Sequence, residues 1–149
     1  RAVAALARAE PGPILLAGLS AGGHLALRMV CPDAALPGDV AGRIAGVLAL
    51  SPLADLAPLI PLPMNADLRL DAPEARAESP AHHPAPACPV LVEVGTDERP
   101  AFLTQAFRLA DAWPATQLTL AAHRHHFDVI DPLGDPAGPL LRRLLALAA

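Results

Sequence analysis

The sequence contains no lysine and no tyrosine, and aromatic residues make up only 3% of its 149 residues. Charged residues are also few, at 17%, and the formal net charge is -4. These numbers provide no basic surface of the kind that binds nucleic acid or an anionic membrane. Hydrophobic residues reach 53%, as in a globular chain. We therefore expect a small-molecule substrate as the partner, with no nucleic acid and no membrane.

Uninterrupted apolar runs and cysteines are scarce as well. The longest apolar stretch, residues 44–63, is broken by Ser51, Asp55 and several prolines, and so predicts no membrane span. No signal peptide is recognisable, and the sequence predicts a cytoplasmic protein. The two cysteines, Cys31 and Cys88, are far apart in sequence and each precedes a proline. We interpret both as small buried apolar residues rather than as a disulfide or a catalytic residue.

The chain alternates short apolar runs with amphipathic segments. This alternation predicts an α/β fold with a parallel sheet and right-handed crossovers, in a single domain over residues 1–149. Residues 53–89 interrupt it with a proline-rich irregular insertion, which we interpret as a lid or a pocket wall above the carboxyl ends of the strands. The last strand alternates in polarity, as is typical of a position near a sheet edge. The predicted strands are 14–17, 44–50, 89–95 and 117–120. The main predicted helices are 1–10, 24–29, 101–113 and one through Leu140 to Leu145.

The motif Gly18-Leu19-Ser20-Ala21-Gly22 lies between the first predicted strand and the helix after it. A G-x-S-x-G motif in this context indicates a nucleophile elbow. The serine backbone is strained in such a turn, and we expect side chains at positions 18 and 22 to collide across it. Ser20 would be the nucleophile, and the Ala21 N–H at the start of the helix would stabilise an oxyanion. The alternative is a glycine-rich turn that binds phosphate or only permits close packing.

A serine nucleophile requires a base and an acid that orients the base. In α/β-hydrolases these follow the serine in the order acid and then histidine. Here Asp97 and Glu98 follow the third predicted strand, and a histidine cluster follows the fourth. Spacing from Gly95 favours Glu98 as the acid and leaves Asp97 open. Either carboxylate could instead only favour the start of the next helix.

The histidines also raise the possibility of a zinc site. Its ligands would come from the cluster after the fourth strand and from an adjacent pair in the insertion: His123, His125, His126, His82 and His83. No acidic or cysteine partner stands at a recognised ligand spacing, so we expect no metal and no cofactor. His24, in the first turn of the elbow helix, is expected to be structural or to lie near the pocket, and not to be the base.

Five parts of the sequence carry a resemblance to a known family: Ser20–Leu25, Ser51–Leu59, scattered positions from Asn65 to Pro80, Val94–Phe102 with Gln105, and His126–Leu133. Together they resemble the kynurenine formamidase (arylformamidase) branch of the α/β-hydrolases. The elbow alone is common to very many esterases, whereas its combination with the His-Phe-Asp-Val block is considerably more specific. The resemblance extends over nearly the whole chain.

The resemblance implies a three-layer α/β-hydrolase fold with a mostly parallel sheet. It further implies that Ser20 is the nucleophile, His126 the base and Glu98 the acid, in an enzyme of tryptophan catabolism that releases formate from N-formylkynurenine. His125 stands where relatives often carry asparagine, so a second imidazole is expected against the site. Family members also carry an upstream His-Gly-Gly loop and the first strands of the sheet. The sequence begins at Arg1, and we expect it to be the C-terminal portion.

Two further functions remain open at this stage. A short-chain carboxylesterase would use the same triad. Aromatic pocket walls suited to an aryl formamide are few, chiefly Phe127 and the loop around Met64. An inactive fragment or a non-catalytic α/β module would keep the fold without the chemistry.

Overall fold

A computed structural model describes residues 2–149, and Arg1 of the predicted first helix lies outside the described residues. The four predicted strands all form, with ends within two residues of those expected. The elements are α1 (Ala2–Ala9), β1 (Ile14–Leu19), α2 (Ala21–Arg28), α3 (Gly38–Ala41), β2 (Ile44–Leu50), α4 (Asn65–Leu68), α5 (Ala72–Ala77), β3 (Val90–Gly95), α6 (Pro100–Ala112), β4 (Gln117–Ala121) and α7 (Pro139–Ala146). Single 3-10 turns cover Ala57–Leu59, Pro80–His82 and Asp131–Gly134.

The four strands form one parallel sheet in the order β1-β2-β3-β4. The carboxyl ends are in register, since Leu19 is opposite Leu50 and Gly95 is opposite Ala121. β4 lies at one edge and is only partly buried, as its alternating sequence predicted. Because parallel strands end at the same edge of the sheet, the loops after β1, β2, β3 and β4 all meet there.

Helices cover both faces of the sheet. Successive side chains of a strand point to opposite faces. In β2, Val47 and Ala49 therefore pack in one apolar cluster with α1, α2 and α6, whereas Leu48 and Leu50 pack in a second cluster with α7. This is the predicted three-layer arrangement. No helix within residues 2–149 is long and apolar enough to cross a membrane.

Residues 53–89 are held against α2 and α6 by buried polar contacts. The side-chain oxygen of Gln105 accepts hydrogen bonds from the backbone N–H groups of Ala54 (2.8 Å) and Asp55 (2.7 Å), and its amide nitrogen donates to the Asp55 carbonyl at 2.8 Å. On the α2 side, His24 Nε2 lies 2.8 Å from the Glu78 carbonyl oxygen. His24 thus has the structural contact expected of it. That the segment acts as a lid or pocket wall stays a prediction.

Both cysteines are free thiols. Cys31 is buried and Cys88 is half-buried, and burial raises the pKa of both thiols. A raised thiol pKa lowers the thiolate fraction and with it the reactivity. The predicted burial is confirmed for Cys31, which packs in the hydrophobic core, whereas Cys88 is only half-buried.

Candidate active site

Ser20 lies at the junction of β1 and α2 with φ 56° and ψ -117°. A non-glycine residue at positive φ is strained, by about 1–3 kcal/mol, and persists only where neighbouring contacts hold it. Two backbone hydrogen bonds do so here. The Ser20 N–H donates to the Leu50 carbonyl (2.9 Å), and the Ser20 carbonyl accepts from the His24 N–H (2.9 Å). The next residue, Ala21, begins α2, where the first N–H groups have no acceptor within the helix.

The glycines of the motif differ in how much space a Cβ atom would have. A Cβ atom at Gly18 would lie 2.2 Å from the Gly22 carbonyl oxygen, so this position requires glycine. A Cβ at Gly22 would meet nothing within 4 Å, and the expectation of a collision at this position was therefore wrong. Gly23 is the second close approach, because its Cβ would lie 3.1 Å from both the Gly18 oxygen and Pro52 Cβ. The turn thus depends on Gly18 and Gly23.

The loops after β3 and β4 are joined by backbone hydrogen bonds. The Thr96 N–H donates to the Ala121 carbonyl (2.9 Å) and the Asp97 N–H donates to the Arg124 carbonyl (3.0 Å). Gly95 allows this approach, since a Cβ there would lie 2.0 Å from the Arg124 oxygen. The pairing brings the residues just after Gly95 beside the turn that contains His126.

Glu98 is almost completely buried, with 7% of the residue exposed. Its Oε1 accepts hydrogen bonds from the Gly95 N–H (2.9 Å) and from the Ser51 hydroxyl. Its Oε2 lies 2.8 Å from Nδ1 of His126. Because a carboxylate only accepts hydrogen bonds, Nδ1 carries the proton and Nε2 keeps a free lone pair. Asp97 is exposed and accepts from its neighbour Thr96, so Glu98 is the one of the two candidate acids that contacts His126.

Two aromatic rings border His126. The Phe102 ring, from α6, is stacked on the imidazole with centroids 4.0 Å apart and 24° between the planes. Phe127 meets it edge-on at 5.5 Å. The imidazole side chain is 18% exposed. Among residues 2–149, hydrogen bonds join His126 to Glu98, and none joins it to Ser20.

The remaining histidines of the cluster have local contacts. His125 Nδ1 accepts from the N–H groups of Phe127 (3.1 Å) and Asp128 (3.2 Å), which closes the turn that contains His126. His123 lies in the left-handed region at φ 58°, and its N–H donates to the Thr96 hydroxyl. Within residues 2–149, no three His, Cys, Asp or Glu side chains are grouped closely enough to hold a metal ion.

An open cleft of about 510 Å³ lies beside His126, and apolar atoms dominate its lining. Phe127 is 81% exposed there, and His125 also lines it, as expected of a second imidazole against the site. Met64, the other expected pocket residue, is exposed elsewhere. The lining residues are Asp97, Glu98, Arg99, Phe102, His125, His126 and Phe127.

Ser51 was not identified as a site residue from the sequence. It follows β2, is completely buried and has φ 44°. The sequence signal was only that a small polar residue ends an apolar strand just before proline. The partner of its hydroxyl depends on β2 lying beside β3, which the spacing of the motifs does not specify.

Comparison with known proteins found no family model that matches the sequence. Among solved structures, a "putative thioesterase" from Silicibacter sp. TM1040 is 47% identical, with a TM-score of 0.92 over 97% of this chain and 55% of that chain. Esterase 2 of the Planctomycetes species Thermogutta terrifontis, with propionate bound, is 24% identical, with a TM-score of 0.58 over 91% and 53% of the two chains. An acylaminoacyl peptidase is 14% identical, with a TM-score of 0.69 over 94% and 24%.

These neighbours and the three-layer parallel sheet establish the α/β-hydrolase fold, as predicted. The two less similar structures bear on the fold alone. The chain spans about half the length of the first two neighbours, at 55% and 53%. None of the three is described as a formamidase.

Proposed function

We propose that this chain, with its α/β-hydrolase fold, carries the catalytic triad of a serine hydrolase. One observation carries the proposal: a buried carboxylate, Glu98, bonds Nδ1 of His126 at the sheet edge where the strained turn holds Ser20. Ser20 and His126 follow β1 and β4, and Glu98 follows β3, so all three belong to loops at the carboxyl ends of parallel strands. In this fold such loops carry function.

The proposed chemistry follows from the protonation of the imidazole. Nε2 of His126 has a free lone pair, so it can take the proton of the Ser20 hydroxyl as the oxygen attacks a carbonyl carbon. Glu98 stabilises the imidazolium that forms. The Ala21 N–H is oriented to donate to the oxyanion, and the helix dipole of α2 adds to this effect. His126 then protonates the leaving group, and water, activated by the same imidazole, releases the acid from Ser20.

The substrate we propose is the formyl amide of N-formylkynurenine or a similar aryl formamide, which yields the amine and formate. The sequence resemblance and the aromatic surface of Phe127 beside His126 support this choice, because an exposed ring can stack on an aryl group.

A second candidate is the hydrolysis of a short-chain carboxylic ester or thioester by the same residues. The 47% identical neighbour described as a "putative thioesterase" favours it. An ester or thioester presents the same carbonyl to Ser20 and needs no aromatic wall.

The test compares three substrates with the natural full-length protein: N-formylkynurenine, a short aryl ester and a short acyl thioester. If formate is released from N-formylkynurenine much faster than the ester or the thioester is cleaved, the formamidase proposal is supported. If the ester or the thioester is cleaved much faster, the second candidate replaces it. Ser20→Ala must abolish turnover, whereas chelators must leave it unchanged. Absence of turnover together with absence of organophosphonate labelling at Ser20 identifies a non-catalytic module.

A further inference from the structure

The Ser51 hydroxyl is buried against a carboxylate that the proposed triad uses. It donates to Oε1 of Glu98, the oxygen that also accepts from the Gly95 N–H at 2.9 Å. The backbone of Ser51 is itself fixed, since its N–H donates to the Glu93 carbonyl at 2.8 Å. The ends of β2 and β3 thus each place one donor on a single carboxylate oxygen, which belongs to the turn after β3.

Two donors on Oε1 determine the orientation of the whole carboxylate. With Oε1 occupied, the plane of the group is fixed and Oε2 is the oxygen directed at Nδ1 of His126. Without the Ser51 hydroxyl, the Gly95 N–H alone would hold Oε1, and the acceptor that faces His126 would be less firmly oriented. We propose that Ser51 is a positioning residue that acts on His126 through Glu98, an inference that rests on the proposed function.

The backbone at Ser51 argues against a role in the turn alone. Its φ of 44° lies in the left-handed region, where glycine is unstrained and serine is not. A glycine would therefore make this turn at lower cost. What serine adds is the hydroxyl, and within residues 2–149 the group that this hydroxyl bonds is the Glu98 carboxylate. Ser51 is also completely buried and lines no part of the cleft beside His126, so it does not contact substrate there.

These contacts predict an effect on turnover and not on substrate binding. Ser51→Ala and Ser51→Gly both remove the hydroxyl, and Ser51→Gly also relieves the backbone strain. We expect kcat to fall roughly tenfold in both variants, because a slightly misplaced base is costly, with KM within about twofold of the wild-type value. Rates are referred to the fraction of enzyme that an organophosphonate titrates. A wild-type kcat in Ser51→Gly overturns the inference.

A double-mutant cycle separates positioning from simple stability. If Ser51 acts through Glu98, Ser51→Ala should change the residual kcat by less than about twofold in a Glu98→Gln background. A loss of the same factor in both backgrounds would mean that Ser51 acts elsewhere, and the inference fails.

A readout that needs no turnover keeps the inference independent of the proposed function. The proton on Nδ1 of His126, bonded to a carboxylate, should give a far-downfield ¹H NMR signal that disappears in His126→Gln. We expect Ser51→Gly to shift this signal or lose it to solvent exchange. If it stays unchanged, Ser51 does not position the pair. If it moves in a protein that hydrolyses no substrate, the positioning stands and the proposed function falls.

Discussion

The ring of Phe102 lies almost parallel to the imidazole of His126, with 4.0 Å between the centroids. Phe102 belongs to α6, whereas His126 is in the turn after β4. The stack therefore fixes the plane of the imidazole from a second element, while Glu98 fixes its rotation from a third. It also shields one face of the ring from water.

Phe102→Leu removes this stack and leaves an apolar side chain in its place. We expect kcat to fall about threefold to tenfold and stability by about 1 kcal/mol, because the aromatic pair is lost and the imidazole gains freedom. Phe107→Leu is the matched control on the same helix, since Phe107 is 52% exposed. Steady-state kinetics and thermal melts of both variants make the comparison. Equal losses of kcat in Phe102→Leu and Phe107→Leu would rule out a specific role for the Phe102–His126 stack.

The choice between the two adjacent carboxylates can be tested by amide substitution. Glu98→Gln should lower kcat by about a hundredfold to ten-thousandfold, because the amide neither holds the Nδ1–H tautomer nor stabilises the imidazolium. Asp97→Asn should stay within about threefold of wild type, since the Asp97 side chain is exposed and its carboxylate accepts from the adjacent Thr96 hydroxyl, away from His126. Both are measured with the best substrate found. A large effect at Asp97 with a small one at Glu98 would reverse the assignment of the acid.

The glycines of the elbow should respond in opposite ways to alanine. Gly18→Ala places a carbon against the backbone of Gly22, and we expect a loss of at least about 2 kcal/mol in the free energy of unfolding. Gly22→Ala enters open space within α2 and should be neutral or stabilising by up to about 1 kcal/mol. Denaturant unfolding distinguishes them. The steric account fails if Gly22→Ala is the more damaging of the two.

Glu93 provides a pH-dependent prediction outside the site. Burial raises the pKa of its carboxyl, and Arg143, 3.6 Å away, opposes the shift only in part. As pH rises from the ordinary glutamate pKa to the raised one, the unfolded chain gives up this proton and the folded chain retains it. The folded state therefore loses stability over that window. Glu93→Gln cannot ionise and avoids the loss.

The melting temperature of Glu93→Gln should accordingly exceed that of wild type near pH 8 and match it near pH 4, below both pKa values. Thermal melts at several pH values between these limits give the comparison. An equal difference in melting temperature near pH 4 and near pH 8 would show that packing, and not ionisation of Glu93, causes the difference in stability between the variant and the wild type.

Much of the fold was predictable because its signals are local. Each strand is a short apolar run, such as Val90–Gly95, and Pro100 marks the start of α6 one residue from the prediction. The turn at Ser20 was predictable because its motif lies within five residues. Order and spacing favoured Glu98 over Asp97 and indicated the histidine cluster, and the family resemblance implied His126 within that cluster. The structure brings Glu98 and His126 together.

Contacts between residues far apart in the sequence could not be predicted from it. The bond from Ser51 to Glu98 requires that β2 lie beside β3, and the collision at Gly18 in the absence of one at Gly22 depends on the turn's path in space. In the sequence, Gln105 is one polar residue on an amphipathic helix. In the structure, its side-chain oxygen accepts hydrogen bonds from the backbone N–H groups of residues 54 and 55. A buried polar side chain has no periodicity of its own, and its partner determines its role.

The strand order β1-β2-β3-β4 also matters for how the protein is made. β2, β3 and β4 each pair with the strand synthesised just before them, so this part of the sheet can grow strand by strand as the chain leaves the ribosome. Ser20 follows β1, whereas His126 follows β4. A nascent chain therefore carries Ser20 for some time without His126, and the proposed triad is assembled only after β4 and the turn behind it have been synthesised.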